Sequence, residues 1–238
     1  MLYVVATPIG NLEDITLRAL RILKEVDFIL CEDTRVTKKI LDHYSIQKPL
    51  ISYHQHSRLP KVNFIIKLLQ KGKNLALVSD SGTPGISDPG NKLIKIINDK
   101  LPFIKVISIP GPSAVMAALS VSGFPTDKFI FLGFPPHKKG RSKFFQEIME
   151  SKQTVIFYES PYRIIKTLCD LQRLFAGEAG SNRCQSAERQ VVVCRELTKK
   201  FETIYRGTIN EVIKKISQES GVRGEFVVMV APKKTVLV

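Results

Sequence analysis

An α/β protein made of two successive α/β domains is the fold class this sequence predicts. Three observations carry it. Short apolar runs alternate with stretches whose apolar residues recur at helical spacing, a βαβα rhythm that calls for a mostly parallel sheet covered by helices. Glycine and proline interrupt the chain at "VSGFPTD" (121–127), which predicts a boundary between domains spanning 1–121 and 122–238. Beyond it "RQVVVCREL" (189–197) and "FETIYRGT" (201–208) sit side by side across a charged "TKK". That spacing reads as antiparallel strands and makes the second sheet mixed.

Taken in order, "LYVVAT" (2–7) is a strand and "ITLRALRILKEV" (15–26) an amphipathic helix. "DFILC" (27–31) is the next strand, followed by a helix over 34–43. "PLISYH" and "FIIKLLQKG" repeat the pair, and "NLALVS" (74–79) and "FIKVISIP" (103–110) flank the helix "NKLIKIINDK". A further helix begins after Pro112. The second domain then reads as strand 128–134, helix 141–151, strand 154–159, helix 161–175, the two antiparallel strands, helix 209–219 and a last strand 225–231. The aperiodic, polar 176–188 reads as a surface loop.

The composition, with 44% hydrophobic and 24% charged residues over 238 positions, is that of a soluble globular chain. No apolar run approaches the ~18–20 residues of a membrane span, and the opening "MLYVVATPIG" lacks the charged start of a signal peptide. Four cysteines without CxxC spacing predict buried thiols in a reducing compartment, hence the cytoplasm. The formal charge of +14 is spread over both halves and suits a polyanionic partner, nucleic acid foremost. His54 and His56 share one side of an extended segment without a third ligand, so no metal is expected.

Chemistry is expected where parallel strands end, since ligands gather beyond their carboxyl ends. Two loops there are rich in glycine and proline: "SDSGTPGISDPG" (79–90) and "PGPSA" (110–114). Neither contains lysine or arginine, and no phosphate-cradling GxxxxGK[ST] or GxGxxG is present. Carboxylates at such a bend repel phosphate and accept hydrogen bonds from amino and hydroxyl groups, while bare amides can hold a carboxylate. An amino acid joined to a nucleoside would use both features. Asp88 before Pro89 also fits a helix start. After the first strand, Thr7, Gly10 and Asn11 are open to two readings, ligand donors or a turn. "CEDTR" offers either helix capping by Asp33 or Thr34, or an acid–base cluster of Glu32, Asp33 and Arg35. The densest basic cluster, "PPHKKGRSKFF", carries His137, Lys138, Lys139, Arg141 and Lys143 beside two phenylalanines, an arrangement suited to a phosphate backbone.

Together "VVATPIGNLEDITLRAL", "EDTR", "SDSGTPGISDPG", "PGPSA", "GFPTDKF", "FYESPYR", "RELTKKFE" and "RGEF" resemble the branch of the tetrapyrrole methylase family that methylates small-subunit ribosomal RNA. The resemblance runs from Leu2 to about Val230. It departs from the usual pattern at Ser81, where alanine is expected, at Tyr162, where histidine is expected, and in the length of 176–188. It implies a non-Rossmann, class III methyltransferase fold with a ligand cleft between the domains, S-adenosylmethionine as methyl donor, no metal, and a homodimer. It also implies methylation of the ribose 2′-oxygen of a cytidine in the decoding region of 16S rRNA, on free rRNA or the small ribosomal subunit. Carried over by motif, Ser79, Asp80, Gly82, Thr83, Pro84, Gly85, Pro110, Gly111, Ser113 and Ala114 bind the cofactor, with Tyr158 and Glu225 from the second domain. Glu159 is the expected base, Lys199 or Arg35 the expected orienting cation, and Arg163 joins the basic cluster in contacting RNA. The rival reading is a methyltransferase for a small tetrapyrrole-like molecule on the same fold. A non-enzymatic RNA binder is a third, and it leaves both shaped loops without a purpose.

Overall fold

The computed structural model describes residues 1–54, 57, 59–177, 189–219 and 221–233. These fall into two compact units, Met1–Ser113 and Ala114–Val238. His56, most of the 176–188 loop and Cys184 lie outside the described residues.

The first unit is a five-stranded, all-parallel sheet. Its strands are β1 (Leu2–Val5), β2 (Phe28–Cys31), β3 (Leu50–Ser52), β4 (Leu75–Leu77) and β5 (Val106–Ile109), in the order β3-β2-β4-β1-β5. Its helices are α1 (Leu17–Glu25), α2 (Thr34–His43), α3 (Leu59–Gln70) and α4 (Gly90–Lys100). Because strand side chains alternate between faces, each strand feeds two cores. Leu2, Leu30, Leu75 and Leu77 pack with α3 and α4. Val5, Ile29, Cys31, Ala76 and Val78 pack with α1 and α2. This is why the strands read as unbroken apolar runs. The helix starts follow local chemistry: Thr16 Oγ1 accepts from the Ala19 amide at 3.1 Å, and Asp33 Oδ1 accepts from the Arg35 amide at 2.8 Å. The capping account of "CEDTR" therefore holds for Asp33. The α3 helix starts at Leu59, earlier than the apolar periodicity of 64–72 suggests.

The second unit begins with α5 (Ala114–Ser122), which packs on its last strand. Then come β6 (Phe129–Phe131), α6 (Arg141–Glu150), β7 (Thr154–Glu159), α7 (Ile164–Gly177), β8 (Gln190–Arg195), β9 (Thr203–Thr208), α8 (Ile209–Ser217) and β10 (Phe226–Val230). The sheet order is β6-β7-β10-β8-β9. Only β6 and β7 run parallel; β10 is antiparallel to both β7 and β8, and β8 to β9. The sheet is mixed, as the "TKK" turn predicted. All five residues of the central β10 are buried, and Val228 and Val230 share a core with Phe157, Ile164, Leu168 and Val212. Each such side chain, fully buried, contributes on the order of 1.5–3 kcal/mol. Thr208 and Glu211 close a reciprocal capping box that starts α8 directly from the end of β9. Cys31, Cys169 and Cys194 are free thiols. No helix among the described residues is long and apolar enough to cross a membrane.

Candidate functional site

In the first unit, β1 leads over β4 to β2, while β4 leads over β1 to β5. Their connections leave in opposite directions, and α1 and α4 lie in the two opposite cores. The carboxyl ends of β1 and β4 thus form a switch point, the place where parallel sheets open a crevice. The loops there are sewn together. Thr7 and Gly82 exchange backbone hydrogen bonds of 2.9 and 3.1 Å. The buried Thr7 hydroxyl donates to the Ser79 carbonyl at 3.0 Å, and Ser79 Oγ donates to the Gly82 carbonyl at 3.1 Å. Thr83 Oγ1 donates to the Pro112 carbonyl at 3.1 Å, tying the second glycine–proline loop to the first. Gly82 has φ +78°, and a Cβ there would approach Ile9 Cγ2 to 3.3 Å. Both the backbone and the space at position 82 therefore favour glycine. Asn11 Oδ1 accepts from the Glu13 amide, so Thr7 and Asn11 both serve the turn.

Asp88 organises the far side of the bend. Its carboxylate accepts from the Gly85 amide at 2.7 and 2.8 Å and from the Gly90 amide at 2.7 Å. Burial nevertheless raises its pKa, against the pull of those two amides. The expectation of bare amides is corrected here: the Gly82 amide donates to the Thr7 carbonyl and the Gly85 amide to Asp88. Asp80 Oδ1 accepts from the Asp33 amide at 3.1 Å, which joins the end of β2 to the same bend. Arg35 is exposed and clasps Asp33 with contacts down to 2.6 Å. Hydrogen bonds from Arg35, side chain first and then backbone, hold the Asp33 carboxyl down at about 2.

In the second unit, Glu159 at the end of β7 is 1% exposed. Its oxygens accept from Thr167 Oγ1 at 2.6 Å and the Ser160 amide at 2.7 Å, and Arg163 Nη2 pairs with it at 2.9 Å. A carboxylate so enclosed has no free face for a substrate proton. The role of base expected of Glu159 finds no support in this geometry; the group anchors a network. Arg163 also donates to the Pro135 carbonyl at 3.0 Å. Arg141 donates to Thr167 Oγ1, Asp170 and the Pro136 carbonyl, and stacks 4.7 Å from the Phe145 ring centroid. Both arginines thus brace the start of the basic loop from behind. His137, Lys138, Lys139 and Lys143 are the exposed members of that cluster.

At the neighbouring edge, Lys199 Nζ pairs with Glu196 Oε1 at 2.9 Å and Glu225 Oε2 at 3.0 Å. Burial works to lower the Lys199 pKa, but the two carboxylates carry it above the ordinary value. Tyr158 packs on Phe131 and Phe134, with ring centroids 5.0 and 5.3 Å away. Burial first, then the Glu225 charge, pushes its hydroxyl up to about 12. The structure therefore gathers Tyr158, Lys199 and Glu225 in one neighbourhood and sets Glu159, Arg141 and Arg163 in another.

The sequence profile of the tetrapyrrole (corrin/porphyrin) methylases matches residues 1–213. The chain belongs to the tetrapyrrole methylase family. Relatives within it include a Halalkalibacterium halodurans protein named ribosomal RNA small subunit methyltransferase I, 45% identical over 96% of this chain and 75% of its own. Proteins of the same name from Thermotoga maritima and Mycoplasmopsis pulmonis are 40% and 47% identical. They cover 98% and 94% of this chain and 99% and 95% of their own. Among solved structures, the cobalt precorrin-4 methyltransferase CbiF superposes with a TM-score of 0.68 at 17% identity, covering 97% of this chain and 94% of that one. The methyltransferase CobJ gives 0.66 at 18%, with 100% and 96% covered. These two show the shared tetrapyrrole methylase fold.

The sequence reading did not single out Thr167, which organises the Glu159 network. Thr167 is a lone polar residue on an apolar helix face, with no pattern to distinguish it. Glu32 was named in "CEDTR" as a member of a possible acid–base cluster with Asp33 and Arg35. Its Oε1 is buried and has no hydrogen-bond partner among the described residues. No cluster of three metal-ligating side chains occurs among the described residues.

Proposed function

We propose that this protein transfers a methyl group from S-adenosylmethionine to the ribose 2′-oxygen of a cytidine in small-subunit ribosomal RNA. The observation that carries the reading is the 40–47% identity, over 94–98% of the chain, to proteins named ribosomal RNA small subunit methyltransferase I. The residues of the first unit fit the donor. The bend 79–90 carries no cation to compete with a sulfonium, and its backbone is fixed at Gly82 by the paired hydrogen bonds to Thr7. Asp80 supplies an acceptor for hydroxyl or amino groups. When bound, S-adenosylmethionine supplies a methyl group activated on a cationic sulfur.

What the chain's own residues do follows from their placement. Ser79 to Gly85 and Pro110 to Ser113 hold the nucleoside on a framework pinned at Thr7, Ser79 and Thr83, and such positioning is worth up to ~7–11 kcal/mol of barrier. His137, Lys138, Lys139 and Lys143 meet phosphates of the RNA, and Arg141 and Arg163 keep their loop in place. The charge of +14 supports a polyanionic substrate. The active assembly is a homodimer in this reading. Mapping ribose methylation by mass spectrometry, in small-subunit rRNA from cells lacking the protein, tests it. One cytidine losing its 2′-O-methyl group, restored by the purified enzyme, is the expected result; an unchanged map overturns the reading.

A further inference from the structure

We infer that Glu32 is the catalytic base of this methyl transfer. The inference rests on the functional reading above and adds the group which takes the proton.

Glu32 follows β2 directly, and its backbone carbonyl accepts from Ser52 Oγ. Its side chain forms part of the wall of a hollow of about 630 Å³ in the first unit, shared with His54, Ser87, Asp88, Pro89 and Lys92. The hollow therefore borders the far end of the bend, Ser87 to Pro89, and Asp88 there ties it through the Gly85 amide to the part that the functional reading gives to the nucleoside. The absence of a donor among the described residues singles Glu32 out from the carboxylates around it. Asp80 accepts from the Asp33 amide, Asp88 from two glycine amides, and Asp33 caps α2 and holds Arg35. Each of those has work within the fold. Glu32 Oε1 is buried with no donor to it among the described residues, and a buried acceptor left unpaired is costly unless something else satisfies it. Burial, then the charges of Asp88 and Asp80, raises its pKa above the ordinary 4.5, as burial also does for Asp88, and a raised pKa makes a carboxylate the stronger base. The charged and titratable groups around the hollow and the β2 end are Asp33 with Arg35, Asp80, Asp88, His54, Lys92 and the buried Cys31 thiol.

The step balances without a further reagent. Glu32 carboxylate takes the proton of the ribose 2′-hydroxyl. An oxygen lone pair forms the new O–C bond to the methyl carbon. The C–S bond breaks, and its electron pair stays on sulfur, which becomes a neutral thioether. The proton then passes from Glu32 to water.

The test combines three measurements on the full chain: single-turnover methylation of small ribosomal subunits lacking the modification, from pH 5 to 9; calorimetric binding of S-adenosylmethionine; and urea unfolding. Glu32→Gln is expected to slow methylation by ~10²–10⁴-fold and abolish the rise of rate with pH. The variant should keep donor affinity within a few-fold. Its unfolding stability should equal or exceed wild type, because a raised folded pKa means the ionised group opposes folding above pH 4.5. Glu32→Asp should retain a pH-dependent limb at reduced rate. Wild-type rates in Glu32→Gln across the range, or a rate loss matched by lost donor affinity or lost stability, would overturn the assignment. Absence of ribose methylation by the wild-type protein is a separate result, and it sinks the functional reading itself.

Discussion

Thr7 and Gly82, 75 residues apart in sequence, are bonded through backbone and side chain together: two amide–carbonyl bonds between them, and the Thr7 hydroxyl reaching the Ser79 carbonyl. The loops after β1 and β4 are thereby one object. Anything that separates them should be felt at the proposed cofactor site before it is felt in the core.

Gly82→Ala is the direct probe of that join. The new Cβ meets Ile9 at 3.3 Å on a backbone with φ +78°, and a left-handed non-glycine residue costs about 1–2 kcal/mol. A fall of that size in unfolding free energy by urea titration is expected, with donor affinity measured by calorimetry reduced at least tenfold. Donor binding unaltered in a folded variant would remove the loop from the site.

Thr167→Val leaves Glu159 Oε2 and an Arg141 donor without their shared hydroxyl. The exchange nearly preserves volume, so the loss should reflect the polar groups, about 1–3 kcal/mol. Thr167→Ser should restore most of it in the same denaturation assay.

Glu159→Gln should behave as a stability variant. Its enclosed carboxylate pairs with Arg163, which in turn holds the Pro135 carbonyl. A lowered urea midpoint, together with a pH–rate profile of unchanged shape, is the expected pair of results. A flattened profile would return the base to this residue.

Asp33 has its carboxyl held at about 2, against an ordinary 3.8, by Arg35 and the helix-start amides. A depressed acid stabilises fully above the unfolded value, and that contribution disappears as pH falls from about 4 toward 2. Carboxyl NMR titration should place Asp33 in that low range. In Arg35→Ala it should move upward but stay below 3.8, because the Arg35 backbone bond to Asp33 remains.

Lys138 and Lys139 are exposed on the loop that Arg141 and Arg163 brace. Each alanine substitution should weaken RNA binding across sequences and reduce the log–log salt slope by about 1. Filter binding at several salt concentrations reads both. An unchanged slope would move the phosphate contacts elsewhere.

Much of the molecule was legible in the chain alone. Strand and helix order followed from apolar periodicity, since β2, β4 and β10 are buried on both faces and read as solid runs. α2 and β7 were located to the residue, α2 where Asp33 caps it and β7 from its apolar run. The glycine–proline loops announced themselves through composition, as did the absence of lysine at the bend. Helix α3 was shortened in the reading because it was begun at the exposed Phe64, whereas the buried stripe Val62, Ile65, Ile66 and Leu69 already starts at Val62 with helical spacing.

What the sequence by itself determined was therefore the local register: which segments form strands and helices, and which bends admit close approach of a ligand. Only the tertiary structure decided which charges are occupied. Glu159, Asp80, Asp88 and Glu32 are all acids near strand ends or in the bend, and no local pattern separates them. Their chemistry depends on partners brought from elsewhere in the chain, such as Thr167, the Asp33 amide and two glycine amides, and on burial that removes water. Desolvation and hydrogen bonding act through space, so the state of each carboxylate becomes readable only once the fold has assembled its surroundings.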